Sequence, residues 1–303
     1  MPRVRALVTG AHGFVGRHLC QYLADAGDEV VEVDRDDDVT DGARMRELFE
    51  RVRPNVTYHL AALANVAESW RQPDEYTRVN VVGTRRVLEA SASAGPESTT
   101  LFVSSAEVYG VTEARDQPLD ETQPIAPANP YATSKAEAEA VVREVVRSRG
   151  QRVITVRPFN HLGPGQSPHY VVPALVQRLL LAREEGRDEI SVGDLSTQRD
   201  FTDVRDVVRA YRLVATRGVT GETYHVASGR ATALAEIARE LVATVAPGTR
   251  LVLDRELVRP IDVPISSGRI DKINRDTQWR PVIPLTTSLR DVVDYEVARL
   301  HQG

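Results

Sequence analysis

The stretch Thr9-Gly10-Ala11-His12-Gly13-Phe14-Val15-Gly16 directly follows the apolar run at residues 4–8 and opens an amphipathic segment. Its three glycines allow a tight turn and let backbone amides come close to a pyrophosphate. The helix that follows offers unpaired N–H groups and the positive end of its dipole. A strand, a glycine-rich turn and a helix in this order are typical of a dinucleotide-binding unit.

An acidic residue ends the second predicted strand. Asp34 lies near the separation of about 20 residues from the glycines at which a carboxylate contacts the adenosine ribose in such a unit. A carboxylate there repels the extra phosphate of NADP, whereas the neighbouring Arg35 is able to pair with that phosphate. The acidic residues 36–38 are alternatively a solvated loop. We therefore expect NAD or NADP as the cofactor, with NAD slightly favoured.

Strand-like and helical runs alternate along the first half of the chain. This alternation predicts a doubly wound parallel α/β sheet of the Rossmann type, joined to a smaller α/β lobe. Prolines and glycines between residues 158 and 173 indicate an irregular crossing segment, where we place the lobe boundary. The predicted domains are a dinucleotide-binding domain at 1–165, with a return segment at about 194–216, and a substrate-binding lobe at 166–193 and 217–303.

Composition narrows the class of protein. The chain has 303 residues, of which 42% are hydrophobic and 27% charged, as is ordinary for a globular enzyme. Its net charge of −5 gives no reason to expect nucleic acid as a partner. No apolar run approaches the roughly 20 residues needed to cross a membrane, and no secretory signal opens the chain. We expect a cytoplasmic protein that has no metal site, with its one cysteine, Cys20, in the core.

Tyr131 and Lys135 lie four residues apart at the start of a predicted helix, so both project from one face. The ammonium group favours the phenolate and moves the tyrosine pKa toward that of a general acid or base. By itself, the spacing also occurs on exposed surface helices. The glycine-rich N-terminal turn makes the catalytic interpretation the stronger one.

These segments, together with His59-Leu60-Ala61-Ala62 and the stretch Ser104-Ser105-Ala106-Glu107-Val108-Tyr109-Gly110, resemble the extended short-chain dehydrogenase/reductase family. The resemblance runs from the first strand to the last helix. It implies that Ser105, Tyr131 and Lys135 form a catalytic triad, with Glu107 as a further catalytic candidate. The implied cofactor-binding residues are Gly10, His12, Gly13, Phe14, Val15, Asp34, Arg35, Asp38, Val39, Leu60, Ala61, Ala62, Tyr131, Lys135 and Pro158.

The second half carries Arg157-Pro158-Phe159-Asn160-His161-Leu162-Gly163-Pro164-Gly165-Gln166 and two arginines, Arg199 and Arg259, suited to a diphosphate. These segments resemble the nucleotide-sugar branch of the family, most of all the GDP-4-keto-6-deoxy-D-mannose reductases and next the GDP-mannose 4,6-dehydratases. The implied partner is a nucleotide diphosphate sugar, with guanine favoured over dTDP and UDP. The implied substrate-binding residues are Ser105, Glu107, Asn160, Val171, Val172, Arg178, Arg199, Arg259 and Asp262.

The reaction type stays open between several alternatives. In a reductase, Ser105 and Tyr131 hydrogen-bond a sugar ketone while a hydride reaches its carbon. A 4,6-dehydratase is the first alternative, because Glu107 could act as its base, although Ala106 stands where dTDP-type dehydratases carry aspartate. A 4-epimerase with permanently held NAD and a non-enzymatic NAD(P)H-binding regulator follow.

Alanine- and valine-rich stripes mark the predicted helices at 76–94 and 132–149. Packing against the sheet accounts for such stripes, and so does a four-helix interface between two copies of the chain, as in relatives. We expect a homodimer.

Overall fold

Six parallel strands form the larger sheet of the protein in a computed structural model, which describes residues 4–34, 36–257 and 263–301. The strands are β1 Arg5–Thr9, β2 Glu29–Val33, β3 Val56–His59, β4 Thr99–Val103, β5 Arg152–Pro158 and β9 Thr223–Val226. They lie in the order β2-β1-β3-β4-β5-β9, so the direction of winding reverses between β1 and β3. The predicted doubly wound α/β fold is confirmed.

Helices cover both faces of this sheet. Across the described residues the helices are α1 Phe14–Asp25, α2 Gly42–Val52, α3 Val66–Ser69, α4 Pro73–Tyr76, α5 Gly83–Ser91, α6 Pro130–Arg149, α7 Val171–Glu185, α8 Val204–Arg217, α9 Leu234–Val245, α10 Asp271–Thr277 and α11 Leu285–Leu300. Of these, α7, α9 and α11 belong to the smaller lobe. Successive side chains of a strand point to opposite faces. Ala6 and Val8 of β1 accordingly pack with α1 and α8, whereas Leu7 packs with α2 and α5. Among the residues described, no helix has both the length and the apolar character needed to span a membrane.

The helix predicted over residues 76–94 is divided into three kinds of turn. The short α4 ends at Tyr76, a π-helical segment spans Thr77–Val82, and α5 follows, with a 3₁₀ turn at Ala92–Ala94. The apolar pattern is similar across all three, so it predicts a helix without revealing the wider turn. The π-helical segment faces the candidate active site described below.

The smaller lobe has its own sheets and its own core. Its strands are β6 Asn160–Leu162, β7 Glu189–Val192, β8 Gln198–Asp203, β10 Ala231–Ala233, β11 Arg250–Leu253 and β12 Ile265–Ser266. β8 pairs with β6, β10 and β12, while β7 pairs with β11. α7, α9 and α11 bury a common apolar cluster that includes Leu179, Leu241 and Val292.

The lobes interleave along the chain more than the predicted domain bounds allow. We placed residues 217–303 in the smaller lobe, but β9 pairs with β5 in the larger sheet. Ile273 of α10 and Trp279 also belong to the core around β1 and α8. Conversely, β8 lies within the return segment that we assigned to the dinucleotide-binding domain, yet it pairs in the smaller sheet. Strand pairing is a long-range interaction that local alternation does not reveal.

Two glycines allow α1 to pack directly against the end of β1. Gly10 has a φ of 71°, in the left-handed region that favours glycine. A Cβ atom on Gly16 would lie 2.1 Å from the carbonyl oxygen of Gly10 and 2.6 Å from that of Ala11. The glycine turn therefore has a packing role in addition to any role in binding.

We predict that Gly16→Ala destabilises the protein by about 3 kcal/mol, because backbone atoms must move to make room for the methyl group. Urea unfolding followed by circular dichroism measures this change. Gly42→Ala is the control, since a Cβ atom there would meet only the flexible side chain of Arg86. Equal stabilities for the two variants would contradict the proposed packing role.

Candidate active site

A cleft of about 760 Å³ opens at the carboxyl ends of β1, β2 and β3. The structure brings nine of the predicted cofactor-binding residues together in its lining: Gly10, His12, Gly13, Asp34, Asp38, Val39, Leu60, Ala61 and Ala62. The lining residues that we did not predict are Val33, Asp36, Asp37, Leu63, Arg78 and Val79. Arg35 lies outside the described residues. Open α/β sheets bind ligands at the carboxyl ends of the strands that flank the reversal of strand order.

One wall of the cleft suits a pyrophosphate. α1 begins at Phe14 with Gly13 as its N-cap, so the capping residue has no side chain to bond the amides of the first turn. The backbone N–H of His12 donates to Asp34 Oδ2 at 2.7 Å, which ties the glycine turn to the end of β2. An uncovered helix N-terminus beside a cleft provides amide donors for an anion. The residues present therefore fit a dinucleotide.

The other end of the cleft is acidic. Asp34, Asp36, Asp37 and Asp38 line it, and Arg78 is the cation in the same lining. Arg78 is engaged already, since its Nη1 lies 2.7 Å from the hydroxyl of Thr40 and 3.4 Å from Asp38. The Thr40 N–H, followed by other hydrogen bonds, lowers the pKa of Asp38. Among the residues described, this end of the cleft therefore has more carboxylates than cations.

The three predicted triad residues lie together beside the cleft and are buried. Ser105 follows β4, whereas Tyr131 and Lys135 occupy the first turns of α6. That helix starts where Asn129 accepts the N–H of Ala132 at 2.8 Å. The side chain of Ser105 lies close enough to the Tyr131 phenol to lower its pKa. Since all three residues are at most 9% exposed, their charges act in a poorly solvated environment.

Burial moves the two titrating groups of the triad in opposite directions. It raises the pKa of the Tyr131 phenol, so the lowering that we expected from Lys135 was wrong; the interaction with Ser105 opposes the rise and the nearby Glu107 reinforces it. Burial lowers the pKa of Lys135 to about 8, while the charge of Glu139 opposes that change. Lys135 Nζ lies 4.8 Å from the centre of the Phe102 ring. At neutral pH the site therefore contains a neutral phenol and a cationic ammonium group.

Glu107 is held close to the triad. It lies in the 3₁₀ turn Ala106–Tyr109, where its N–H donates to Ser105 Oγ at 3.1 Å. The amide of Asn129 donates to its carboxylate at 3.3 Å. Through these contacts Glu107 is fixed on the same side of the site as Tyr131.

A buried hydrogen-bonded chain that the sequence analysis missed joins the cleft to α6. Asn80, in the π-helical segment, bonds both backbone groups of Leu63, with its amide nitrogen 3.0 Å from the carbonyl and its amide oxygen 2.8 Å from the N–H. Its amide nitrogen also donates to Ser134 Oγ at 2.9 Å, and Ser134 donates to the carbonyl of Tyr131. An asparagine among apolar residues of a core-facing helix is a sequence signal that could have identified this link.

The same chain continues through His59. Thr84 donates its one hydroxyl hydrogen to Asn80 O, so His59 Nε2 donates to Thr84 at 3.0 Å. His59 Nδ1 then accepts from Thr9 Oγ1 at 2.8 Å. Thr9 Oγ1 in turn accepts the N–H of Ala61, in the cleft lining. The neutral imidazole thus fixes the floor of the cleft.

The candidate residues of the second half are more dispersed. Asn160 is exposed at the start of β6, and Val171 opens α7. Val172 is only 1% exposed and packs in the core of the smaller lobe, so only its backbone could contact a ligand. Arg178 bonds the carbonyl of Ser191.

Other predicted residues lie around or outside the cleft. Arg199 donates to the carbonyl of Gln198 in β8. Phe14 stacks on His161 with ring centres 6.1 Å apart, and Pro158 is buried at the end of β5. Arg259 and Asp262 lie outside the described residues.

Comparisons with known proteins show which family the chain resembles and which solved structures share its fold. The model of the NAD dependent epimerase/dehydratase family matches residues 6–227. The chain is 33% identical to GDP-6-deoxy-D-mannose reductase of Pseudomonas aeruginosa, covering 96% of this chain and 97% of the relative. The structure of RMD from P. aeruginosa complexed with NADPH is similar, with a TM-score of 0.90, 31% identity and 98% coverage of both chains. UDP-glucose 4-epimerase of Thermotoga maritima with UDP-glucose also gives a TM-score of 0.90, at 27% identity and covering 98% of this chain and 99% of that one.

The buried His59 predicts a loss of stability in acid. Burial, reinforced by the charge of Lys135, lowers its pKa to about 3 from an ordinary value of 6.5. The unfolded chain therefore takes up this proton first, and stability falls as the pH drops from 6.5 toward 3. We expect His59→Gln to reduce the loss between pH 7 and pH 4 by about 3 kcal/mol in urea unfolding.

His169→Gln is the matched control, because His169 is exposed to solvent. Its loss of stability between the two pH values is expected to equal that of the wild type. If His59→Gln also behaved like the wild type, His59 would have to be solvated in the folded protein.

Proposed function

Because the chain belongs to the NAD dependent epimerase/dehydratase family, we propose that it is an NAD(P)-dependent nucleotide-sugar oxidoreductase. Its reaction is the reduction of the C4 ketone of an NDP-4-keto-6-deoxyhexose. The observation that carries this proposal is the placement of Ser105, Tyr131 and Lys135 in one buried group beside the cleft. The identity with the P. aeruginosa reductase over nearly the whole chain supports the choice of reduction.

The protonation states of the site suit a reduction. The Tyr131 phenol, whose pKa burial raises, is a proton donor at neutral pH and supplies the proton that the ketone oxygen acquires. Ser105 donates a second hydrogen bond to the same oxygen as negative charge develops on it. Lys135, cationic below about pH 8, stabilises the phenolate that remains. A reduced nicotinamide held in the cleft would supply the hydride.

We infer that the substrate is a GDP-sugar, with GDP-4-keto-6-deoxy-mannose favoured. Asn160, Arg199 and Arg259 are assigned to the nucleotide diphosphate sugar, together with the backbone of Val172 in the first turn of α7. Guanidinium groups match the oxygens of a diphosphate, and a helix N-terminus adds amide donors. A homodimeric assembly and a cytoplasmic location stay predictions from the sequence.

One observation favours a second candidate, a GDP-mannose 4,6-dehydratase. Glu107 lies close enough to Tyr131 for its charge to raise the phenol pKa, and Asn129 holds its carboxylate. A carboxylate in that position could remove the proton next to the C4 ketone and allow water to leave. The two reactions differ in their redox balance, since dehydration needs no external reductant.

The reductase proposal predicts that the protein oxidises NADH or NADPH when GDP-4-keto-6-deoxy-mannose is added. Tyr131→Phe should lower kcat by at least about 100-fold because it removes the proton donor. The rate is measured by the absorbance of the reduced nicotinamide. Tyr22→Phe, which removes the hydroxyl of a partly buried phenol in α1, should leave the rate unchanged. Loss of water from GDP-mannose, without net consumption of nicotinamide and dependent on Glu107, would instead identify a dehydratase.

The acidic end of the cleft predicts a preference for NADH over NADPH. Asp34→Asn removes a negative charge but keeps an oxygen that accepts the N–H of His12. We expect this variant to lower the ratio of kcat/KM for NADH to that for NADPH by about 10-fold. Asp25→Asn, at the far end of α1, serves as the control. A wild-type preference for NADPH would contradict the prediction.

A further inference from the structure

A buried ion pair lies beneath the candidate active site and has no part in the chemistry described so far. Glu139 and Arg157 are 2% and 5% exposed. The guanidinium binds the carboxylate with two hydrogen bonds, from Nε to Oε1 at 2.8 Å and from Nη2 to Oε2 at 2.7 Å. Such a pair costs solvation energy that its own attraction barely offsets. General stabilisation is therefore a poor explanation for it.

The pair joins the elements that carry the triad. Glu139 lies one helical turn beyond Lys135 on α6, and Arg157 belongs to β5. Ser104, which immediately precedes Ser105, donates its hydroxyl to Glu139 Oε1 at 2.6 Å. The Glu139 carboxylate thus contacts the end of β4, the neighbouring strand β5 and the catalytic helix at one point.

The lysine above this carboxylate is unusual for the chain. The sequence contains 38 lysines and arginines, yet only two of them, Lys135 and Lys272, are lysines. Arginine stays charged at any accessible pH, whereas a buried lysine is easily deprotonated. A cation of this kind needs a nearby negative charge to hold its proton.

We propose that Glu139 is a positioning residue of the reaction, which aligns Ser105 with α6 and keeps Lys135 cationic during turnover. The catalytic role of Lys135 rests on the proposed function, whereas the coupling between Glu139 and Lys135 does not. Glu139 acts through Ser104 and Lys135 and does not itself contact the reacting atoms.

Other charged groups near the pair leave the sign of this coupling unchanged. Neutral His59 and the Tyr131 phenol face Lys135 from β3 and from its own helix. Arg143 approaches Glu139 at 3.4 Å from the exposed side of α6. Beyond Arg157 lie Tyr109, at 2.7 Å, and then His225, whose pKa burial lowers. Among the groups named, Glu139 is the one whose charge raises the pKa of Lys135.

Because the chain has two lysines, the titration of Lys135 can be measured directly. The protein is labelled with ¹³C-lysine, and the two side-chain signals are followed by NMR against pH, with Lys272→Arg giving the assignment. Glu139→Gln is expected to lower the Lys135 midpoint by about one pH unit. Glu139→Asp, which restores the charge, should return it toward the wild-type value.

Glu137→Gln is the matched control, because it removes the same charge from an exposed position on the same helix. Its Lys135 midpoint should stay at the wild-type value. Equal shifts in Glu137→Gln and Glu139→Gln, or no shift in a folded Glu139→Gln variant, would overturn the proposal. If Glu139→Gln does not fold, the double variant Glu139→Gln/Arg157→Met removes both buried charges, and its Lys135 midpoint is compared with that of Arg157→Met so that the difference reports the Glu139 charge alone. A lower midpoint in the double variant is expected, and equal midpoints would overturn the proposal.

Activity provides the second readout. With the keto-sugar nucleotide as substrate, the basic limb of the kcat profile should move with the NMR midpoint, and at pH 8 Glu139→Gln should lose about 5-fold in kcat beyond any uniform loss. A shifted midpoint with an unshifted profile would refute the positioning role. Absence of reductase activity in the wild type would refute the proposed function, while the NMR experiment would still test the coupling.

Discussion

Parallel pairing of six strands is the constraint on which the rest of the molecule depends. It places every carboxyl end at one edge of the sheet, so the glycine turn after β1, Asp34 after β2 and Ser105 after β4 share that edge although they are far apart in sequence. The connections between strands must then cross the faces as helices. One of these crossovers, α6, returns Tyr131 and Lys135 to the same edge.

Burial then gives these side chains their chemical character. The same loss of solvent raises the pKa of the Tyr131 phenol and lowers that of the Lys135 ammonium group, so each is moved toward its neutral form. A reduction needs a neutral phenol and a cationic ammonium group, so burial favours the required state of Tyr131 but disfavours that of Lys135. The effect of burial on the Lys135 pKa must therefore be opposed by a nearby negative charge. Glu139, one turn further along α6, supplies this negative charge. Arg157 binds its carboxylate and so offsets the solvation energy that the carboxylate loses on burial.

The smaller lobe is joined to the cleft through α1. Arg17 reaches the carbonyl of Gly165, and His18 donates to that of Pro164 at 2.9 Å. The ring of Phe14 stacks on His161 in the segment that leads to β6. The helix whose N-terminus faces the cleft therefore also contacts the crossing segment between the lobes. This arrangement links the position of a dinucleotide to that of a substrate.

The sequence by itself determined the fold class and nine of the residues that line the cleft, and it placed Tyr131 and Lys135 on one helix, because these depend on local signals. Glycine spacing, strand and helix alternation and the interval between Tyr131 and Lys135 are all readable over a few residues. Only the tertiary structure decided the strand pairing that puts β9 in the larger sheet and β8 in the smaller one. It also decided that Asn80 joins the cleft floor to α6 and that Arg157 meets Glu139. Such contacts join segments that are distant in sequence. The residues that flank a buried polar group in the sequence do not specify which group will be its hydrogen-bonding partner.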